Sequence, residues 1–185
     1  MRVIAGSARR LLLKTPKGME TRPTQDRIKE TLFNILQDDI YDCKFLDLFS
    51  GSGGIGIEAL SRGARHAVFV DSSRASQECI KENLTHTHLD GKATLISSDV
   101  FSSLSAIERE GPYDLIYMDP PYDSGSDVRA LTMLAGSRAV DDDTTVIVEM
   151  ALRSDETVLE VEPFRIVRIK EYKTNKHIFL RKSVK

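Results

Sequence analysis

Short apolar runs alternate with segments of helical length through the middle of the chain. Five apolar runs are predicted to be strands, and they cover residues 45–49, 67–71, 93–99, 113–119 and 144–150. Helices are expected between them at 55–63, at 73–84, in a segment that ends near 109, and near 126–136. Such alternation predicts βαβ units, and hence a parallel sheet with helices on both faces.

The N-terminal part does not follow this alternation. Residues 2–6 and 9–16 are predicted to be two short strands joined at Gly6-Ser7-Ala8. Thr24 follows a proline and can cap a helix that runs to about Gln37, because apolar residues then recur on one helical face. The start of the chain is therefore expected to be a small hairpin followed by a helix.

The C-terminal part departs from the alternation in a second way. Residues 164–173 and 176–182 have the composition of strands and are separated only by Thr174-Asn175. So short a connection predicts a hairpin, which makes at least one strand antiparallel. We expect residues 1–22 to be a basic hairpin extension and residues 23–185 to be the main domain.

Length and composition place the chain among ordinary single-domain proteins. It has 185 residues, of which 41% are hydrophobic and 29% are charged. No apolar run approaches the roughly 20 residues that a membrane span needs, and the N-terminus does not resemble a secretory signal. Cys43 and Cys79 are isolated, which is typical of reduced thiols, so a cytoplasmic location without a membrane partner is expected.

The net charge is −2, but it is distributed unevenly along the chain. Residues 1–30 carry a net charge of +5, residues 31–164 carry −14, and residues 165–185 carry +7. If the two basic ends meet in the fold, they form a face suited to phosphate groups. Two unrelated solvated tails are the alternative interpretation.

Acidic residues lie at or near the ends of four predicted strands, at Asp47, Asp71, Asp99 and Asp119. In an open parallel sheet, ligands bind beyond the carboxyl ends of the strands. A carboxylate at Asp71 can accept hydrogen bonds from both hydroxyls of a ribose, as in any adenosine cofactor, NAD included. Asp99 can bond to an adenine amine, or it can simply cap the helix that follows.

A glycine-rich loop follows the first of these strands, with the sequence Ser50-Gly51-Ser52-Gly53-Gly54. Glycines let a backbone turn tightly and approach a ligand closely, although many strand-to-helix turns need glycine for their geometry alone. The loop lacks the lysine of a phosphate-binding P-loop, which argues against an NTPase.

The motif Asp119-Pro120-Pro121-Tyr122 distinguishes between adenosine cofactors. Two prolines hold the backbone extended, so the Asp119 carboxylate and the Pro120 carbonyl offer two acceptors beside the flat ring of Tyr122. A flipped-out base can be held there by its amino group. Hydrogen bonds to both N–H protons localise the nitrogen lone pair, and the negative acceptor stabilises the charge that develops on nitrogen. Methyl transfer to an amine needs this arrangement; hydride transfer does not, and a rigid turn is the structural alternative.

Taken together, these segments resemble a known family. LDLFSGSGGIGIEALSRGA, VFVD and DPPY, in this order, resemble the class I S-adenosylmethionine-dependent methyltransferases that act on amino groups. RVIAGSARRLLLKTP followed by TRPTQDRIKETLFNIL is similar to the RsmD family, bacterial enzymes that methylate N2 of a guanine in 16S ribosomal RNA. The resemblance implies a Rossmann-like α/β fold with a mostly parallel seven-stranded sheet, helices on both faces, a C-terminal antiparallel hairpin and a small N-terminal β-hairpin extension.

The resemblance also implies roles for the motif residues. S-adenosylmethionine, which leaves as S-adenosylhomocysteine, would be bound by strand-end acids and their neighbours: Thr24, Asp47, Phe49, Ser50, Gly51, Ser52, Gly53, Asp71, Ser72, Asp99 and Val100. The catalytic clamp would comprise Asp119, Pro120, Pro121 and Tyr122. RNA would be contacted by basic residues of the N-terminal part: Arg2, Arg9, Arg10, Lys14 and Arg22.

No metal is expected, because the four histidines are scattered and no His/Cys/Asp cluster has ligand spacing. The expected partner is 16S rRNA in an assembling small ribosomal subunit, with the protein as a monomer. Other functions stay open: a DNA adenine-N6 methyltransferase of the same fold, a module that binds nucleotide or RNA without catalysis, or an NAD-dependent oxidoreductase.

Overall fold

A seven-stranded sheet forms the centre of the fold in a computed structural model. The structure describes residues 1–16, 24–121 and 124–183, with only the backbone at residues 24 and 25. The strands are β1 Lys44–Leu48, β2 His66–Val70, β3 Ala93–Ile96, β4 Leu115–Met118, β5 Thr145–Ala151, β6 Phe164–Glu171 and β7 Asn175–Lys182. Their order in the sheet is β3-β2-β1-β4-β5-β7-β6. The first five are mutually parallel, whereas β7 runs antiparallel to both β5 and β6.

In the described part of the chain, five α-helices connect or precede the strands: α1 Thr24–Ile35, α2 Gly54–Ser61, α3 Arg74–Thr87, α4 Leu104–Glu110 and α5 Ser126–Ala135. Buried side chains form two clusters, and successive residues of β1 belong to different ones, with Phe45 in one and Leu46 in the other. This alternation shows that the central strands are buried on both faces. Within the described residues, no helix is long and apolar enough to cross a membrane.

The mostly parallel sheet, the helices between its strands and the C-terminal hairpin confirm the predicted Rossmann-like class I methyltransferase architecture. The predicted strand over 93–99 ends earlier, at Ile96, because Asp99 caps a short 3₁₀ turn over Val100–Ser102. Helix α1 begins at Thr24, as predicted from the cap, and ends at Ile35. These differences amount to a few residues at the ends of elements, where helices and strands commonly fray.

The prediction of N-terminal strands over 2–6 and 9–16 is wrong. In their place the structure contains one isolated antiparallel bridge, between Arg2 and Leu12. The segment does fold back on itself, since Val3 N–H donates to the Leu11 carbonyl at 2.9 Å and Arg10 N–H donates to the Val3 carbonyl at 2.8 Å. The division of the chain at residue 22 stays a prediction.

Helix α2 explains why no regular strand forms there. Its buried Glu58 accepts hydrogen bonds from the backbone N–H groups of Ile4 at 2.8 Å and Ala5 at 3.0 Å. One turn further, the Ser61 hydroxyl accepts from Ala8 N–H at 2.9 Å. Backbone groups that a strand partner would use are therefore already paired with helix side chains.

Candidate active site

A cavity of about 450 Å³ lies at the carboxyl ends of β1, β4 and β5. The sheet order places β2 and β3 on one side of β1, and β4 and β5 on the other. The chain thus changes direction across the sheet between β1 and β4, which is where open α/β sheets bind ligands. Residues from the predicted cofactor loop and from the predicted clamp line this one cavity, among them Phe49, Ser50, Gly51, Ser52 and Asp119.

The glycine-rich loop turns sharply between β1 and α2. Phe49, Gly51 and Gly53 have positive φ angles of 58°, 55° and 74°, a region that glycine adopts without strain. The Ser50 hydroxyl fixes the turn, because it donates to the Asp47 carbonyl at 2.5 Å and accepts from Val70 N–H at 2.9 Å. Apart from Gly51 itself and its two chain neighbours, no atom of the described residues lies within 4 Å of the position that a Cβ on Gly51 would occupy, so a ligand can approach the backbone there.

Asp47 lies beneath this loop, where its carboxylate accepts from Gly56 N–H at 2.9 Å and so holds the first turn of α2. Burial raises the pKa of Asp47 well above its ordinary value; the Gly56 hydrogen bond opposes this, and the charges of Asp71 and Asp119 add to it. The side chain also lines the cavity. Asp47 therefore supports the loop from behind and also faces the site.

Asp71 follows β2 and faces the same loop. One carboxylate oxygen accepts from Gly51 N–H at 2.8 Å, and the other accepts from Ser73 N–H at 2.8 Å. Each carboxylate oxygen can accept a second hydrogen bond, so the side chain keeps the capacity for two ribose hydroxyls. Its neighbour Ser72 is exposed.

Asp99 performs the capping role that was its alternative assignment. One carboxylate oxygen accepts from Phe101 N–H at 3.0 Å and from Ser102 N–H at 3.2 Å. The residue is exposed while the adjacent Val100 is buried. Adenine contacts by these two residues stay a prediction, which the second oxygen of the carboxylate permits.

Asp119 directly follows β4, and its side chain reaches the cavity. The residue as a whole is exposed, but protein atoms around its carboxyl displace water and raise the pKa of that group to about 8, and the negative charge of Glu149 acts in the same direction. Further along the chain, the Ser124 hydroxyl donates to the Pro121 carbonyl at 2.6 Å. Pro120 is buried. Tyr122, the remaining residue of the predicted clamp, lies outside the described residues.

A network beside Asp119 was not predicted from the sequence. The Glu149 carboxylate of β5 accepts from the Tyr117 hydroxyl at 2.6 Å, from the Asn175 amide at 2.5 Å and from His177 Nε2 at 3.2 Å. All four residues line the cavity. A signal was present, since Glu149 lies near the end of a fifth apolar strand, just as an acid does in four other strands. Nothing local in the sequence indicated the β7 residues.

The predicted RNA-contacting residues lie around the N-terminal segment. Arg2 pairs with Asp26 at 2.8 Å, and Lys14 pairs with Glu82 at 2.7 Å. Arg9 and Arg10 are exposed. Arg22 lies outside the described residues, and of Thr24 only the backbone at the start of α1 is described. Among the residues that the structure describes, no group of three or more His, Cys, Asp or Glu could hold a metal ion.

Comparisons with known proteins identify the family of this chain. The sequence model of a family described as "Conserved hypothetical protein 95" matches residues 1–181. The chain is 35% identical over 149 residues to the Ribosomal RNA small subunit methyltransferase D of Escherichia coli (strain K12), and the match spans 80% of this chain and 74% of that protein. The chain belongs to the RsmD family.

Other similar proteins support the RsmD assignment. The putative rRNA methyltransferase YlbH of Bacillus subtilis is 38% identical over 150 residues, which cover 80% of this chain and 82% of YlbH. The solved structure of the putative methyltransferase yhhF from Escherichia coli has a TM-score of 0.82 at 29% identity, and the match covers 100% of this chain and 99% of that chain. The similarity of this chain to yhhF therefore extends over the N-terminal segment and the C-terminal hairpin as well as the central sheet.

Proposed function

We propose that this protein transfers a methyl group from S-adenosylmethionine to the exocyclic N2 amine of a guanine in the 16S rRNA of the small ribosomal subunit. The observation that carries the proposal is that Asp119 and the glycine-rich loop line one cavity at the switch point of the sheet. Membership of a family whose relatives are named rRNA small subunit methyltransferases supports RNA as the acceptor. We expect the protein to act in the cytoplasm, as a monomer, on an assembling subunit.

The residues of the site can accommodate S-adenosylmethionine, the proposed methyl donor. The open backbone at Gly51 leaves room for the methionine part, and Asp71 has acceptor capacity for a ribose. When bound, S-adenosylmethionine supplies a methyl group activated by its positively charged sulfur. The protein would contribute chiefly by holding the reactants in line, an effect worth roughly 7–11 kcal/mol in favourable cases.

Asp119 would act on the amine. Its carboxylate and the Pro120 carbonyl accept the two amine protons, which localises the nitrogen lone pair before attack. A donor N–H supplied by the substrate favours the ionised carboxylate and so counteracts the raised pKa of Asp119. After transfer, the amine can release a proton to Asp119 or to water.

Methyl transfer to isolated small subunits tests the proposal. Subunits from a strain that lacks this protein should accept a labelled methyl group from S-adenosylmethionine, and mass spectrometry of their nucleosides should find N2-methylguanosine. Subunits from the parent strain, already modified, serve as the control and should accept little label. Label in the adenine of duplex DNA, or binding of S-adenosylhomocysteine without transfer to subunits, would contradict the proposal.

A further inference from the structure

The network around Glu149 lies beside Asp119 on the neighbouring strands of the sheet. Met118 of β4 pairs with Val148 of the parallel strand β5, so the residues that follow each of them, Asp119 and Glu149, lie side by side. Neighbouring strands are about 4.8 Å apart. Glu149 in turn pairs with His177 of β7. Both residues line the cavity.

Three donors keep Glu149 ionised and oriented. Burial by itself raises the pKa of this carboxyl, but the hydrogen bond and charge of His177, with hydrogen bonds from Tyr117 and Asn175, outweigh it and lower the pKa. The Tyr172 hydroxyl lies 3.1 Å from His177 Nδ1 and so helps to hold the ring with Nε2 towards Glu149. The network thus fixes the carboxylate from behind.

The network leaves acceptor capacity unused. Of the two Glu149 oxygens, Oε2 receives Tyr117 and His177, whereas Oε1 receives only Asn175 among the described residues. A carboxylate oxygen accepts about two hydrogen bonds, so Oε1 has one position free. The buried Oδ1 of Asn175 also lacks a hydrogen-bond partner within the described part of the chain. Buried acceptors without partners are rare and call for a donor from elsewhere.

We propose that Glu149 accepts a hydrogen bond from N1–H of the target guanine, beside the amine held by Asp119, and thereby selects guanine. This inference rests on the proposed function and names what recognises its substrate. Guanine presents two adjacent donor groups, N1–H and the N2 amine. Adenine and cytosine carry an acceptor nitrogen beside their amine, which a carboxylate repels. A clamp around an amine alone does not distinguish these bases, whereas a second carboxylate beside it does.

A base analogue separates this role from a purely structural one. The target guanine is first mapped, and 16S rRNA is then ligated with 2-aminopurine at that position and reconstituted into subunits. 2-Aminopurine keeps the 2-amino group but has an acceptor nitrogen at N1. The wild-type protein should methylate it roughly 10- to 100-fold less efficiently than guanine, in kcat/KM, because an unpaired carboxylate meets an acceptor.

Glu149→Gln should reduce the preference for guanine over 2-aminopurine, since the glutamine amide can donate to the N1 acceptor of 2-aminopurine. The ratio of kcat/KM for guanine to that for 2-aminopurine should fall at least about fivefold, while S-adenosylhomocysteine affinity stays unchanged and reports an intact fold. Glu160→Gln, an exposed acid after the 3₁₀ turn over Glu156–Leu159, is the matched control and should keep the wild-type ratio.

Three outcomes are distinguishable. A wild-type ratio near one overturns the inference without any variant. So does a large ratio that Glu149→Gln leaves intact, because Glu149 then supports the fold alone. In both cases N2-methylguanosine is still formed and the proposed function stands. If the wild-type protein forms no N2-methylguanosine on subunits, the proposed function itself fails.

Discussion

Asp119 is the residue at which the demands of function and of stability oppose each other. Its surroundings raise the pKa of the carboxyl to about 8, because protein atoms displace water from that group and because Glu149 is negatively charged. The proposed chemistry needs that carboxyl as an acceptor, whereas the folded protein without substrate favours its neutral form. Functional sites often carry such locally unfavourable groups. Replacing the acid with its amide separates the two effects.

Asp119→Asn should lower methyl transfer to small subunits at least ~100-fold, the scale of losing one preorganised electrostatic acceptor. The amide keeps the shape of the side chain but loses the negative charge that stabilises the developing positive nitrogen. Cofactor affinity, measured by calorimetry with S-adenosylhomocysteine, should stay the same. Asp90→Asn, at an exposed turn, is the control. Full activity of Asp119→Asn would refute the amine clamp.

The same variant should gain stability relative to the wild type as pH rises. The folded-state pKa of about 8 exceeds the ordinary value of 3.8, so the native state holds a proton that the unfolded state has lost. The wild-type protein therefore loses stability as pH rises from about 4 to about 8. The melting temperature of Asp119→Asn minus that of the wild type should increase across this range and then level off. A difference independent of pH would contradict the assigned pKa.

At the scale of elements, helix α2 organises the N-terminal segment through one buried carboxylate. Glu58 contacts Lys29 at 3.2 Å and Arg62 at 2.8 Å, in addition to its bonds to the backbone of Ile4 and Ala5. Burial lowers the pKa of Lys29, and the charge of Glu58 opposes that shift. The segment that carries the predicted RNA contacts is therefore attached to the same helix that follows the glycine-rich loop.

Glu58→Gln should destabilise the protein by about 3–5 kcal/mol, because it leaves buried cations without their partner. Denaturant unfolding measures this change. Glu78→Gln breaks an exposed pair of the same helical spacing, with Arg74, and should change the free energy of unfolding by less than about 1 kcal/mol. Hydrogen exchange should also show faster exchange at Ile4 and Ala5 in Glu58→Gln. If the two variants changed the free energy of unfolding equally, Glu58 would not be what attaches the N-terminal segment to α2.

At the scale of the whole molecule, the two basic ends attach to different parts of the fold. The N-terminal segment bonds to α2 and α3, through Glu58 and Asn83, whereas the C-terminal residues form β6 and β7 beyond β5. A single basic face formed by both ends stays a prediction. Arg9 and Arg10 are the exposed cations of the N-terminal segment that we expect to meet RNA phosphates.

Reversing both charges, in Arg9→Glu/Arg10→Glu, should weaken binding to small-subunit rRNA. The slope of log K against log salt should fall by about 1 for each phosphate group that the variant no longer neutralises. Binding measured over a range of salt concentrations gives the slope. Arg138→Glu is the control, because it reverses an exposed charge in the connection between α5 and the amino end of β5, away from the N-terminal segment. An unchanged slope in the double variant would exclude this segment from the RNA interface.

Much of the fold was predictable from the sequence because its signals are local. Apolar runs of strand length, separated by helical segments, specify a parallel sheet, and the short connection at Thr174-Asn175 specifies a hairpin. The prediction of N-terminal strands was wrong for a non-local reason. Their backbone groups bond to Glu58 and Ser61 of α2, more than fifty positions away in the chain.

The sequence by itself determined the alternation of elements, the glycine-rich turn and the acids near the strand ends, since hydrophobic period and backbone preference act over a few residues. The tertiary structure alone decided which of these acids share a cavity. Glu149 meets His177 and Asn175 because β7 inserts antiparallel between β5 and β6. Strand order depends on how the entire core packs, and no short segment carries that information.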